Sequence, residues 1–250
     1  LSYNGNGATG GSTASQSGTR YYNSGNYSNP SFTIRNNGFS RSYYNFSQWA
    51  LNSTGGTKYN SGSSITLSSN STLYALWTAQ TTSKTLTKSV TTALNNWQPV
   101  RTLVQFGEVF TSNPSVSISG DNEQRVMYTS KTYAIVTSSH AQGGGTWNVT
   151  VTIRGTAYSS AAASGIGNAT GTIPVSINNW SGGSTYINFG KTFKSPPTMN
   201  WYSPNPSSTA IANDWNISFS NISTTGCTIS WSKSTGSESK TLGWIAEGQL

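Results

Sequence analysis

The side chains able to carry acid–base, nucleophilic or metal chemistry are few. In 250 residues there are six carboxylates, Glu108, Asp121, Glu123, Asp214, Glu238 and Glu247, one histidine, His140, and one cysteine, Cys227. Residues 1–80 contain none of them; their charged side chains are Arg20, Arg35, Arg41 and Lys58. A segment without carboxylate, imidazole or thiol has no general base of the usual kind and no metal ligand set, so any catalysis belongs further along. His140 stands in Ser138-Ser139-His140-Ala141-Gln142-Gly143, but a triad needs the base held by a carboxylate against a framed nucleophile. No such frame surrounds it, and it reads as a loop residue. Asp121 and Glu123 are the one close carboxylate pair, the arrangement a depolymerase would use. They follow Gly120 in what reads as a hairpin turn, where acids are frequent for turn chemistry alone. Cys227 can form no intramolecular disulfide and reads as a small apolar core residue. The expectation is a chain with no catalytic residue, no metal and no cofactor.

Aromatic side chains are more informative. The chain has 9 Trp, 13 Tyr and 8 Phe, and Trp or Tyr can stack on a pyranose face while amides and hydroxyls satisfy the ring hydroxyls. Asp214-Trp215 and Trp231 with Lys233 place a charge beside an aromatic, which suits polar ligand recognition. Trp97 and Trp180 each follow Asn-Asn and are further candidates, although their recurrence also fits a structural role. Trp201-Tyr202, before the stiff Ser203-Pro204-Asn205-Pro206 turn, reads as a subunit contact.

Short alternating β-branched and aromatic runs must position these residues. Thr72–Trp77, Thr102–Phe106, Trp147–Ile153, Cys227–Trp231 and Leu242–Ala246 are examples, separated by Gly, Asn, Ser and Pro clusters. Helical periodicity is nearly absent, so the chain is mainly β. Only 8% of residues are charged, which by itself suggests disorder. The aromatic count argues otherwise, since each buried ring removes roughly 150–250 Å² from water. The net charge of +8 is scattered without a basic run, which speaks against nucleic acid and for diffuse attraction to anionic surfaces such as phosphate-bearing walls. No 18-residue apolar run is present, so no membrane insertion is expected. The start at Leu1 rather than Met reads as that of a trimmed fragment.

Two polar stretches, 79–87 and 158–173, read as linkers dividing the chain into 1–78, 88–157 and 174–250. The last two pieces repeat each other. Asn95-Asn96-Trp97 returns as Asn178-Asn179-Trp180, Phe106-Gly107 as Phe189-Gly190, Phe110 as Phe193, Ser112 as Ser195 and Pro114 as Pro197. One fixed offset relates all five matches, the mark of a duplication.

The first piece, through Tyr3-Asn4-Gly5-Asn6-Gly7-Ala8-Thr9-Gly10-Gly11, Phe46-Ser47-Gln48-Trp49-Ala50 and Ser71-Thr72-Leu73-Tyr74-Ala75-Leu76-Trp77, resembles the InlB B-type, or Listeria–Bacteroides, repeat. It departs from that family in a Ser/Asn/Gly-rich insertion around 13–29. The resemblance implies a small β-grasp-like spacer or adhesive module of Gram-positive surface and phage tail proteins. The third piece, through Ile187-Asn188-Phe189-Gly190-Lys191-Thr192-Phe193-Lys194-Ser195-Pro196-Pro197, Ile222-Ser223-Thr224-Thr225-Gly226-Cys227-Thr228-Ile229 and Gly243-Trp244-Ile245-Ala246, resembles the H-type lectin domain. The second piece shares that likeness through its match to the third. This implies two tandem antiparallel β-sandwiches of six strands, a homotrimer, and sugar binding, although the family's Arg and Trp-His sugar contacts have no counterpart here. The combined expectation is a phage-tail-like receptor-binding protein on the virion tail or cell surface. Its partner would be a polysaccharide or wall teichoic acid of a Gram-positive bacterium. The alternative is a structural stalk that reads no glycan.

Overall fold

The computed structural model describes residues 1–120, 124–138, 143–179, 181–234 and 236–250. Asp121, Glu123, His140 and Trp180 lie outside the described residues. The chain divides into two compact units, Leu1–Gln80 and Thr81–Leu250.

The first unit contains β1 (Ser2–Asn4), β2 (Gly10–Gly11), β3 (Tyr21–Asn23), β4 (Asn26–Ser28), β5 (Ser31–Thr33), β6 (Phe39–Ser40), β7 (Tyr44–Asn52), β8 (Gly55–Tyr59), β9 (Ser64–Thr66) and β10 (Thr72–Ala79). Its main sheet has the order β1-β10-β7-β8, with β1 parallel to β10 and the rest antiparallel. Three two-stranded ribbons, β2-β6, β3-β4 and β5-β9, complete it. Trp49 is its central anchor: the ring is fully buried, packs against Tyr3, Phe39 and Phe46, and donates Nε1–H to the Arg35 carbonyl at 3.0 Å. A few aromatics thus do the work of many aliphatics.

The second unit holds β11 (Thr81–Asn95), β12 (Gln98–Pro99), β13 (Thr102–Gln105), β14 (Ser115–Ser119), β15 (Gln124–Thr129), β16 (Tyr133–Ser138) and β17 (Gly145–Tyr158). A single helical turn, α1 (Ala161–Ser164), leads into β18 (Ile166–Ile177), β19 (Gly183–Asn188), β20 (Thr198–Tyr202), β21 (Asn216–Ser220), β22 (Gly226–Ser232) and β23 (Glu238–Gln249). The first sandwich pairs sheet β12-β11-β17-β14 with β13-β16-β15; the second pairs β18-β23-β20 with β19-β22-β21. Setting aside the short β12, the six principal strands of each sandwich have one topology. First, sixth and third form one sheet; second, fifth and fourth form the other.

The repeated residues take equivalent places. Phe106 meets Phe110 edge to face at 5.6 Å, and Phe189 meets Phe193 likewise at 5.8 Å. Gly107 and Gly190 both have positive φ, 77° and 69°. A Cβ on Gly155 would strike Phe110 and Pro114, and one on Gly248 would strike Phe193 and Pro197. Each sandwich therefore closes its last strand over the same Phe and Pro, with a glycine allowing the approach.

The segments read as linkers are strand for most of their length. β11 starts at Thr81 and pairs with β17 from Thr81↔Tyr158 onward, and β18 pairs with β23 from Ile166↔Gln249. Their Thr, Ser, Lys and Gly residues mask the alternation, because much of each strand lies at the surface.

A candidate cleft between the two sandwiches

The cleft is built where the short return strand of the first sandwich meets the 203–215 connection of the second. β11 turns into β12 through Asn96 and Trp97, both at positive φ (47° and 68°), between the paired Asn95 and Gln98. This is the geometry of a two-residue primed turn. Three hydrogen bonds then fasten the segment to the connection: Asn95 Nδ2 to the Ala210 carbonyl (2.7 Å), Asn213 N to the Pro99 carbonyl (3.0 Å) and Ser203 N to the Arg101 carbonyl (2.8 Å). Ala93, Val100 and Ala212 form a small buried cluster there, and Tyr133 and Ile135 form another with Ile245. Glu247 of the second sandwich accepts from Ser130 Oγ (2.9 Å) and from Thr132 Oγ1 of the first. The Trp201-Tyr202 pair, expected at a subunit contact, lies along this boundary within one chain, with Tyr202 packed against the Tyr133 cluster.

With its backbone fixed, Arg101 lays its guanidinium over the Trp201 ring, 4.5 Å from the centroid. Nη2 donates to Asn200 Oδ1 at 3.3 Å, and Asn200 Nδ2 donates to the Tyr133 hydroxyl at 3.0 Å. The guanidinium, which can only donate, thereby holds Asn200 Oδ1 toward itself and leaves Nδ2 for the Tyr133 hydroxyl. Burial pushes the Tyr133 phenol far above its ordinary value and brings the Arg101 guanidinium down to about 10, still charged at neutral pH. Arg101 Nε is buried with no hydrogen-bond partner among the described residues, and no described carboxylate comes within ion-pair distance of the guanidinium. The cation borders a cleft of roughly 560 Å³ whose other walls include Met127, Trp201, Asn213, Trp215, Asn216 and Ser218. That volume suits a small ligand or one to two sugar rings.

The sequence-selected residues fall in different places. Trp215 lines the cleft but is only 3% exposed and belongs to the core of the second sandwich, so it offers no open stacking face. Asp214 and Lys233 are occupied with each other: Lys233 Nζ lies 2.7 Å from Asp214 Oδ2 and 2.5 Å from Glu238 Oε1, and Lys240 lies 3.2 Å from Glu238. This network anchors the end of the 203–215 connection to the β22–β23 corner, so it positions Trp215 rather than greeting a ligand. Trp231 packs on the core, with Nε1–H donated to the Ser176 carbonyl (2.9 Å) and its ring against Gly183. Trp97, in contrast, is 60% exposed at its turn, a stacking face displayed to solvent. Its backbone conformation is strained for a bulky residue. Cys227 is fully buried, and burial pushes its thiol up to about 11, leaving it a core residue.

Arg101, Met127 and Trp201 are contributed by segments of both repeats and carry no local motif. The only hint in the sequence was the Trp201-Tyr202 pair before a proline-rich turn.

Residues 1–76 match the Listeria-Bacteroides repeat domain. This repeat domain occurs in extracellular surface proteins, and the hairpin β3–β4 lies within the matched residues. No curated protein and no solved structure matches the chain.

Proposed function

We propose that this is a non-enzymatic, carbohydrate-binding receptor-recognition protein of the phage-tail type, attaching to the surface glycan of a Gram-positive bacterium. The observation that carries this reading is the Arg101 guanidinium, its Nε without a hydrogen-bond partner and its charge without a counter-ion among the described residues, in a cleft walled by Trp201, Trp215 and the amides of Asn213 and Asn216. A buried charge without a counter-ion is costly, and an anionic ligand removes the cost. The guanidinium edge suits a carboxylate or phosphate in two-point contact. Amide and hydroxyl groups beside it suit the ring hydroxyls of an acidic sugar. The repeat domain and the paired six-stranded sandwiches fit an adhesive surface role.

Each single cleft need bind only weakly. A trimer would present three copies, and multivalency raises avidity by roughly 10²–10⁴ without any new contact. Binding of the purified protein to isolated Gram-positive walls tests the reading. Sedimentation with walls, reduced by Arg101→Met, supports it. Trimerisation without wall binding would instead favour a stalk, and release of reducing sugar lost in Asp121→Asn would favour a depolymerase.

A further inference from the structure

Within the residues that match the repeat domain, one hairpin buries almost nothing. β3 and β4 pair only with each other, turning through Ser24 (φ 49°) and Gly25 (φ 88°), and all six strand residues are exposed. Such a ribbon is marginal on its own. Tyr22 and Tyr27 face each other across it with ring centroids 4.9 Å apart, and the Arg20 guanidinium covers Tyr27 at 3.9 Å. Those contacts account for two tyrosines and the arginine as hairpin supports. They do not account for Tyr21, which by strand alternation lies on the opposite face with Asn23 and Asn26 and is 66% exposed. Tyr22 and Tyr27 also remain 64% and 59% exposed.

A solvated loop has no use for Tyr21 displayed beside two further exposed tyrosines, whereas binding loops favour this mixture of Tyr, Ser, Gly and Asn, because Tyr offers large contact area with few rotamers to freeze. Charge narrows the partner. Residues 1–80 hold four basic side chains and no carboxylate, so Arg20 has no acidic counterpart in its own unit. Placed over Tyr27, its guanidinium has N–H groups for an oxyanion. Arg20 also borders a cleft of roughly 290 Å³ at the hairpin base, lined among others by Gln16, Ser17, Ser69 and Asn70, all neutral hydrogen-bonding groups.

We propose that the tyrosine hairpin is a second binding site, separate from the Arg101 cleft, which takes an anionic polysaccharide by stacking sugar rings on the tyrosines while Arg20 holds the phosphate or carboxylate. It stands on the first unit alone and does not depend on the cleft.

The test uses the full chain carrying Arg101→Met, which removes the cleft's cation, in affinity electrophoresis through gels containing phosphomannan, dephosphorylated mannan, polygalacturonate or its methyl ester. Retardation by phosphomannan or by polygalacturonate, absent with the neutral counterpart, is expected and identifies phosphate or carboxylate as the anion. Adding Tyr21→Ala should weaken it about tenfold with unchanged thermal stability, and Arg20→Gln should shrink the difference between charged and neutral polymers well beyond the effect of Lys58→Gln, which removes the same charge from β8. Free migration in all four gels, equal retardation by charged and neutral polymers, or indifference to both hairpin substitutions would overturn the proposal. The cleft is judged separately, by whether Tyr21→Ala/Arg20→Gln protein with Arg101 intact still binds walls.

Discussion

Replacing Arg101 with methionine is expected to strengthen the fold while weakening attachment. Burial lowers the Arg101 pKa from 12.5 to about 10, so at every pH below about 10 the folded state bears the full cost of keeping the guanidinium charged. At about 1.36 kcal/mol per unit, this corresponds to about 3 kcal/mol, reduced by the partial solvent contact that the guanidinium keeps. Methionine retains an unbranched apolar stem over Trp201, and a sulfur–aromatic contact of about 0.3–1.5 kcal/mol replaces much of the cation–π attraction. The hydrogen bond to Asn200, long at 3.3 Å, is lost at a cost of about 1 kcal/mol. The balance is a gain of about 1–2 kcal/mol. For a unit of this size, about 2–4 °C per kcal/mol gives a rise in Tm of roughly 2–8 °C by calorimetry, accompanied by weaker wall binding. Residues kept for ligands at the expense of stability behave this way. A fall in Tm would refute the reasoning, because Arg101 would then be a structural group whose charge the fold requires.

Glu247→Ala removes the acceptor shared by Ser130 and Thr132 across the two sandwiches. It should cost about 2–3 kcal/mol and lower the Tm of the second unit by several degrees in a single calorimetric transition. Trp97→Gly relieves a positive-φ position and should stabilise by about 1 kcal/mol while reducing wall binding if the exposed indole contacts glycan. Glu238 loses solvation on burial, but its hydrogen bonds to Lys233 and Lys240 outweigh this and hold its pKa below the ordinary value. A depressed carboxylate stabilises the fold above its unfolded pKa of about 4.3, and that contribution fades as pH falls through the folded value. Denaturant titrations below about pH 4 should therefore show a loss of stability that Glu238→Gln reduces.

The mainly β architecture was legible because strand-forming runs alternate between turn residues, and the duplication was legible because Phe106/Phe110 and Phe189/Phe193 keep one spacing. The strands over 81–95 and 166–177 were not, since their outward positions carry Thr, Ser and Lys that read as linker composition. The candidate site was hidden for another reason. Arg101 and Trp201 are separated by 100 positions and meet only because segment 95–101 is stitched to the 203–215 connection. Local sequence could select Trp215 and Lys233 for their polar neighbours, but it could not show that Asp214 and Glu238 already satisfy the lysine.

The most direct test of the account is a crystal of the full chain soaked with an acidic oligosaccharide released from Gram-positive walls. Sugar density is expected in the cleft between the sandwiches, with the carboxylate or phosphate against the Arg101 guanidinium and a ring bordered by Trp215 and Asn216. Ordered sugar bound elsewhere, with only solvent against Arg101, would contradict it.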